Sequence, residues 1–297
     1  MITVSKNNIG LSENIVIPEQ IKIKKKVRPG RVLLYIGLLI IAVITFFPFY
    51  IMIINASHTS LDIGTKLNLL PGKSFISNIV RAQQGQNVIR GFKNSLIVAV
   101  STTFLGGYIG ALTAYGFSKY KFPGNKVLFW IVIGSMMFPA QLGLIGYYQV
   151  CNSLGLINNY LALILPNSAM ANLVFFVKMY MDSSIPDAII ESAKIDGCGE
   201  FHIFNRIVLP MSIPSIAAMC ILNFISVWNN LIQASVVFTK SEMFTVPIIM
   251  QNVRGFYRND LGAVYGVIAL SIIPIMIVFA IGSKYIIGGM VAGAVKE

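Results

Sequence analysis

Few side chains in this sequence have the chemistry of catalysis or metal binding. The two histidines, His58 and His202, have no acid or nucleophile at the spacing of a catalytic motif. The three cysteines lack the spacing of a metal site, and we interpret them as packing residues: Cys151, Cys198 and Cys220. The sequence therefore predicts neither an enzyme nor a chain that binds a metal or another cofactor.

The stretch "PGKS" at 71–74 resembles the end of a phosphate-binding loop. That motif requires a glycine five residues before Gly72, and Leu67 stands there. Nucleotide binding is therefore not predicted. If ATP drives the function of this protein, we expect the ATPase to be a separate chain.

Charge is concentrated in one hinged stretch, "ESAKIDGCGEFHIFNRIVLP" at 191–210, between two apolar segments. Its charged residues are Glu191, Lys194, Asp196, Glu200 and Arg206. Pro186 and Asp187 favour a helix start and Gly197 suits a helix end, which predicts a short helix over 186–196. A turn and a second short helix, "EFHIFNRI", should follow, before Pro210 and Pro214 open the next apolar segment. By residue type alone, this remains compatible with an ordinary amphipathic loop.

The elements around this stretch must be membrane helices. The chain of 297 residues is 56% hydrophobic and only 11% charged, with a mean hydropathy of +0.74, whereas a soluble domain carries about 25% charged residues. Six apolar segments exceed the roughly 20 residues needed to cross a bilayer. They lie near 32–56, 94–117, 127–150, 160–181, 211–233 and 262–287.

The basic residues predict the orientation of these spans. With the N-terminus in the cytoplasm, 15 of the 23 lysines and arginines lie on the cytoplasmic side, as the positive-inside rule requires. The other eight lie in two longer outer loops, 57–93 and 234–261, where the rule is weak. The net charge of +12 therefore indicates membrane orientation rather than binding to nucleic acid.

The 191–210 stretch carries a specific pattern. Glu191, Ser192, Ala193, Gly197, Ile207, Leu209 and Pro210 follow E-A-A-x3-G-x9-I-x-L-P at every spacing, and only Ser192 departs from it. This resembles the coupling loop of membrane subunits of binding-protein-dependent ABC importers. "FKNSLIVAVSTT", "AYGFSKYKFPG", "LGLINNYLALILP", "FISVWNN" and the tail "GGMVAGAVKE" are similar to the carbohydrate branch of that family, the maltose-type permeases, and specifically to the second permease.

The resemblance implies an all-α membrane protein with six transmembrane helices of the type I ABC importer permease fold and a cytoplasmic pair of coupling helices. The expected divisions are a cytoplasmic N-terminal tail at 1–31, a permease domain at 32–287 with its coupling loop at about 182–210, and a cytoplasmic C-terminal tail at 288–297. That tail is rich in small residues, and the resemblance implies that it reaches between the ATPase subunits.

The resemblance also implies partners and a location. The partners are a homologous second permease, two ATPase subunits that bind ATP and magnesium, an extracytoplasmic solute-binding protein and the lipid bilayer. The location is the prokaryotic plasma membrane, with both termini cytoplasmic. The residues expected to contact the ATPase are Glu191, Ser192, Ala193, Asp196, Gly197, Ile207, Leu209 and Pro210.

Polar residues within the spans are the candidates for a substrate pathway. They are Gln141, Tyr147, Asn167, Asn172, Asn223, Trp228, Asn229 and Asn230. Aromatic faces and amides suit a sugar, but such residues also bridge membrane helices. Gly106 and Gly110 form a G-x-x-x-G pattern that predicts a close helix contact, while Pro139, Pro214 and Pro274 interrupt apolar segments and would permit bending.

Three alternatives remain open at this point. An importer of another solute, such as glycerol phosphate, would favour basic residues at the cavity, and the candidate is Lys178, at the cytoplasmic end of its span. A secondary carrier or channel is disfavoured because no Asp or Glu lies inside the six segments. A membrane scaffold would not need the coupling pattern.

Overall fold

The computed structural model describes residues 29–256 and 260–294, in which every regular element is helical. In chain order these are α1 Pro29–Asn55, α2 Ser60–Thr65, α3 Phe75–Gly85, α4 Val88–Lys119, α5 Asn125–Ser135, α6 Leu144–Ser153, α7 Leu161–Ser168, α8 Ala171–Ser184, α9 Asp187–Ile195, α10 Glu200–Ile203, α11 Leu209–Trp228, α12 Ile232–Val237, α13 Val246–Phe256 and α14 Leu261–Ala294. Ala140–Gly143 and Ser241–Met243 are 3-10 helices, and Phe204–Val208 is a π-helix.

The chain divides into two units, residues 1–48 and 49–297. Of the first unit, the structure describes the N-terminal part of α1, which begins at Pro29, three residues before the predicted span. Of the predicted tail at 1–31, residues 1–28 lie outside the described residues and 29–31 belong to α1. The apolar stretch of this helix, Leu33–Asn55, has a mean hydropathy of 2.6 and is long enough to span a membrane.

The second unit is organised around α4, which packs against α7, α8 and α11, while α11 also contacts α14. Small residues allow this close approach. A Cβ at Gly106 would lie 2.8 Å from the carbonyl oxygen of Ser168, and one at Gly110 would lie 2.7 Å from the side chain of Leu173. The close helix contact predicted from G-x-x-x-G is therefore confirmed.

The third apolar segment, predicted as one span over 127–150, is not one helix. It consists of α5 and α6, separated by residues 136–143. The other five segments are long enough to cross a membrane in the described chain, and the fourth of them, Leu161–Ser184, consists of α7 and α8 with a short break at 169–170. Pro139 provides a physical reason, since it lacks an N–H and restricts the residue before it. Pro214 and Pro274, by contrast, lie inside continuous helices, so the expectation that they interrupt their segments is wrong.

The fifth span starts earlier than predicted. α10, the π-helix and α11 form one continuous helical run, Glu200–Trp228, so the predicted separate second coupling helix is the first turn of this span. Pro210 explains the π-helix at Phe204–Val208. It has no N–H to donate to the carbonyl of Arg206, four residues back, so the regular α-helical bonding is interrupted there. The N–H of the preceding residue, Leu209, donates to the carbonyl of Phe204, five residues back, as in a π-helix.

The last helix continues into the segment expected as a cytoplasmic tail. α14 runs to Ala294, so residues 288–294 of the predicted tail at 288–297 are helical. Residues 295–297 lie outside the described residues.

Candidate functional site

The helix α9 ends in a glycine cap that its sequence specifies. Gly197 has φ +80°, a conformation that glycine adopts without strain. Its N–H donates to the carbonyl of Lys194, and the next N–H, of Cys198, donates to that of Ala193, both at 3.0 Å. This pair of bonds is the Schellman arrangement. The predicted turn at Gly197 is thus present, one residue beyond the C-cap residue Asp196.

The inner face of α9 is fixed to the bundle by apolar packing. Ile190 and Ala193 are buried in a cluster that includes Phe204 of the π-helix and Tyr115 of α4. The Tyr115 and Phe204 rings lie 5.6 Å apart. The same cluster contains residues of α8, so α9 packs against three spans.

Two ion pairs fasten the ends of α9. At its start, the ammonium group of Lys119, on the last turn of α4, donates to Asp187 at 2.8 Å and to the carbonyl of Ile185 at 2.7 Å. This hydrogen bond is the main cause of the lowered pKa of Asp187. At its end, Lys194 pairs with Glu200 at 2.8 Å across the glycine turn. α9 is therefore held at both ends.

The outer face of α9 is free of the bundle. Ile195 is 86% exposed, and Glu191 and Ser192 on the same helix are exposed too. Phe201 of α10, after the glycine turn, is 64% exposed. The Ser192 hydroxyl donates to the carbonyl of Ala188 in the same helix, so this side chain already has a hydrogen-bond partner within α9. Of the other predicted coupling residues, Asp196 and Pro210 are exposed, Ala193 is buried, and Ile207 and Leu209 are half-buried against the apolar cluster.

Lys119 was missed by sequence reasoning. It belongs to "AYGFSKYKFPG", which we noted only as a resemblance. Its side chain is just 5% exposed, so the ammonium is held by its partners rather than by water. The signal that identifies it is a lysine at the last helical turn, where a cation favours the helix C-terminus.

The candidate pathway residues of the fifth span differ in burial and in hydrogen-bond partners. Trp228 is buried, stacks on Phe224 at 5.9 Å and donates its indole N–H to the carbonyl of Ser271, so it packs the core of this chain. Asn229 is exposed, and among the described residues its side chain bonds to the carbonyl of Ile225 in its own helix. Asn230 bonds to Gln233.

The other candidates lie near the broken helices. Tyr147 joins α6 to α7 through a 2.9 Å bond to the carbonyl of Ala162, and Gln141 is exposed in the 3-10 helix between α5 and α6. Asn167 bonds within α7, and Asn172 accepts from its neighbour Leu173. Asn223 differs from these, because its buried amide nitrogen has no hydrogen-bond partner among the described residues.

Sequence reasoning also missed two asparagines whose side chains join distant parts of the chain. The side chain of Asn94 is buried, donates to the carbonyls of Glu242 and Phe244 and accepts from Tyr160. Asn158, at φ +59°, accepts from the backbone of Thr239 and Lys240. These amides fix the loop after α12 to α4 and to the chain before α7. Both lie in stretches noted only as resembling a family.

Comparison with known proteins places this geometry in a family. The family model described as "Binding-protein-dependent transport system inner membrane component" matches residues 87–290. The arabinooligosaccharides transport system permease protein AraQ of Bacillus subtilis is 30% identical over 270 residues, 90% of this chain and 96% of that protein. The trehalose/maltose transport system permease protein MalG of Thermococcus litoralis is 31% identical over 274 residues, 90% and 97%.

The fold agrees with a solved structure. A chain from the crystal structure of a bacterial ABC transporter involved in the import of the acidic polysaccharide alginate has a TM-score of 0.75 at 21% identity, covering 86% of this chain and 96% of that chain. The fold and site define a multi-pass membrane subunit of an ABC importer, which transports rather than catalyses. The chain belongs to the binding-protein-dependent transport system inner membrane components, and it works with a solute-binding protein and an ATPase.

Proposed function

We propose that this chain is one of two homologous permeases in an importer of a sugar or oligosaccharide, driven by two ATPase subunits that bind ATP and magnesium. The names of AraQ and MalG, which refer to arabino-oligosaccharides and to trehalose and maltose, support this class of solute. An extracytoplasmic binding protein delivers the solute.

The coupling role is supported by one observation above others. α9 is capped and held at both ends, and it leaves Ile195, Ser192 and Glu191 exposed, with Phe201 of α10 exposed after the glycine turn. A rigid helix with an exposed apolar end is suited to enter a cleft on an ATPase. The inner residues Ala193, Ile207 and Leu209 then pass the movement to the spans.

We propose that α9 and both termini lie on the cytoplasmic side of a prokaryotic plasma membrane. An exposed surface suited to an ATPase supports this orientation, because an ATPase acts in the cytoplasm. The excess of lysine and arginine assigned to that side supports this orientation.

A pathway through the membrane is supported by the broken helices. Irregular backbone at membrane depth is tolerated where it is buried in protein or lines a water-filled cavity, and discontinuous helices mark binding sites in many transporters. The chain has such a stretch at 136–143, which carries Gln141, and a shorter one between α7 and α8. The unpartnered amide of Asn223 adds a donor that a solute hydroxyl would satisfy.

An uncharged solute fits these residues better than an anion. Lys178, the basic residue considered for an anionic solute, lies 2.6 Å from Asp182. Its charge is therefore already balanced, and the candidate pathway residues are amides and a phenol.

The test is uptake by proteoliposomes that contain this chain, its partner permease and the ATPase. We expect ATP-dependent uptake of a labelled oligosaccharide, and we expect Asn229→Ala or Asn230→Ala to lower uptake more than assembly of the complex. If both variants change only the amount of complex, these amides are structural. Transport by the purified chain alone, without ATP, would instead show a secondary carrier.

A further inference from the structure

A cavity outside the coupling surface lies at the turn between α4 and α5. Its volume is about 600 Å³, and its lining includes Lys121, Lys126 and the aromatic residues Phe117, Tyr120 and Phe122. This turn is part of "AYGFSKYKFPG". Of its lysines, the coupling surface uses only Lys119, so the role of the other two is open.

The cavity has a surplus of positive charge. Within residues 29–256 and 260–294, neither Lys121 nor Lys126 forms an ion pair, and both side chains are exposed. Acidic groups are present nearby, but each is already bonded to a different lysine: Asp187 to Lys119 at 2.8 Å and Asp182 to Lys178 at 2.6 Å. Lys121 also attracts Asp187 at longer range, but these two carboxylates face four lysines, so a surplus of positive charge remains for an anion in this cavity.

An exposed apolar face begins at the edge of the same cavity. Val127 is 64%, Trp130 68% and Ile131 62% exposed, and their spacing of three and four residues places them on one side of α5. Trp130 lies about 6 Å further along the helix than Lys126, at 1.5 Å per residue. Tryptophan is typical of the membrane interface.

We propose that the cavity binds the headgroup of an anionic phospholipid, whose acyl chains lie along the Trp130 side of α5. The headgroup contacts Lys121 and Lys126, and the acyl chains contact the apolar side of α5. The charged and apolar groups therefore follow one another along the protein as the headgroup and the acyl chains do in a lipid. Basic pockets at the cytoplasmic ends of membrane helices are suited to such headgroups. The assignment to the cytoplasmic leaflet rests on the orientation proposed above, but the binding itself does not.

A lipid at this position lies next to the coupling helix. Lys119, in the same turn, holds the start of α9 through Asp187. Occupancy of the cavity therefore stabilises the turn that positions α9, and the membrane's content of anionic lipid becomes a condition for coupling.

Fluorescence quenching of the full-length chain in uncharged detergent micelles tests the proposal. The chain has two tryptophans, and Trp228 is buried, so a brominated lipid reports on Trp130. We expect dibrominated phosphatidylglycerol to quench at lower concentration than dibrominated phosphatidylcholine. The variant K121Q/K126Q should weaken phosphatidylglycerol binding about 10- to 30-fold, on the scale expected for two lysines near an anionic lipid.

The control is K73Q/K240Q, which removes the same charge from two exposed lysines in the outer loops and should leave quenching unchanged. Equal weakening in both double variants, or equal quenching by the two lipids, overturns the proposal. Competition by inorganic phosphate without a preference for phosphatidylglycerol assigns the cavity to a soluble phosphate and also overturns it. If K121Q/K126Q does not fold, as judged by circular dichroism, K121R/K126R must bind like the wild type. Because uptake is not measured, lipid binding can fail while the transport function stands.

Discussion

Substituting Gly197 by valine should uncouple ATP hydrolysis from transport without preventing membrane insertion. The residue has φ +80°, and no atom lies within 4 Å of the place where a Cβ would stand. The effect therefore comes from backbone strain and not from a clash. The left-handed conformation costs a residue with a Cβ about 1–2 kcal/mol, and a β-branched side chain is worse.

This strain is relieved when the helix cap opens. If position 197 leaves the left-handed region, the two bonds to the carbonyls of Lys194 and Ala193 are lost and the last turn of α9 opens. A cost of 1–2 kcal/mol lowers the fraction of capped α9 by a factor of about 5 to 30. The exposed Ile195, which precedes the cap, then loses the position from which it is presented.

The assay compares uptake and ATPase activity of reconstituted complexes. Gly197→Val should lower uptake per ATP hydrolysed, with normal amounts of chain in the membrane. Gly199→Ala is the matched control, because Gly199 has φ −70°, which alanine adopts without strain. Gly197→Asn should restore part of the activity, since asparagine tolerates the left-handed region. Equal coupling in Gly197→Val and Gly199→Ala would refute the reasoning.

Three further results are expected. Gly106→Ala should lower the melting temperature of the chain in detergent, because its Cβ would meet a backbone carbonyl at 2.8 Å and overpacking of this kind costs about 1–3 kcal/mol. Gly116→Ala, which has open space around its Cβ, should leave the melting temperature unchanged. A hydrogen bond from Arg81 is the main cause that lowers the pKa of Asp260 to about 2, so the ionised carboxylate stabilises the fold fully above its unfolded pKa near 4 and loses this effect as the pH falls from 4 to 2. Asp260→Asn should therefore flatten the dependence of stability on pH in that window, and an unchanged dependence would contradict this. Deleting 289–297 should leave the spans folded but weaken ATPase binding or coupling, whereas uptake and ATPase activity equal to those of the intact complex would make the segment an ordinary helix end.

Much of the fold could be predicted because hydropathy and spacing determine it locally. Apolar runs located five long helices, and Gly197 located the end of α9. The small residues Gly106 and Gly110 predicted a close contact that the structure contains. Each of these depends on one segment and on the steric or solvation properties of its own residues.

The errors have a different origin. The apolar run at 127–150 is long enough for one span, and Pro139 was expected to permit bending there but not to separate two helices. Pro210 was read as a helix start, but a π-helical turn accommodates it inside a longer helix. Trp228 was grouped with polar pathway residues because of its type. Its burial against Phe224 and its bond to Ser271 depend on tertiary contacts that sequence spacing does not contain.

The contacts of Lys119 and Asn94 could not be predicted either, because they also depend on tertiary structure. Lys119 acquires its role only when the end of α4 meets the start of α9, 68 positions later. Asn94 is satisfied by carbonyls about 150 positions away. A side chain whose partners are that distant carries no local pattern.

The continuous helix Glu200–Trp228 has a mechanical consequence. Its 29 residues make a rod roughly 43 Å long at 1.5 Å per residue, with the turn after α9 at one end and the buried Trp228 at the other. A tilt of about 5° at the α9 end moves the far end by roughly 4 Å over that length. The π-helical turn at 204–208 lies close to the pivot, where the rod is least regularly bonded, so it is the natural place for the lever to flex when α9 is displaced.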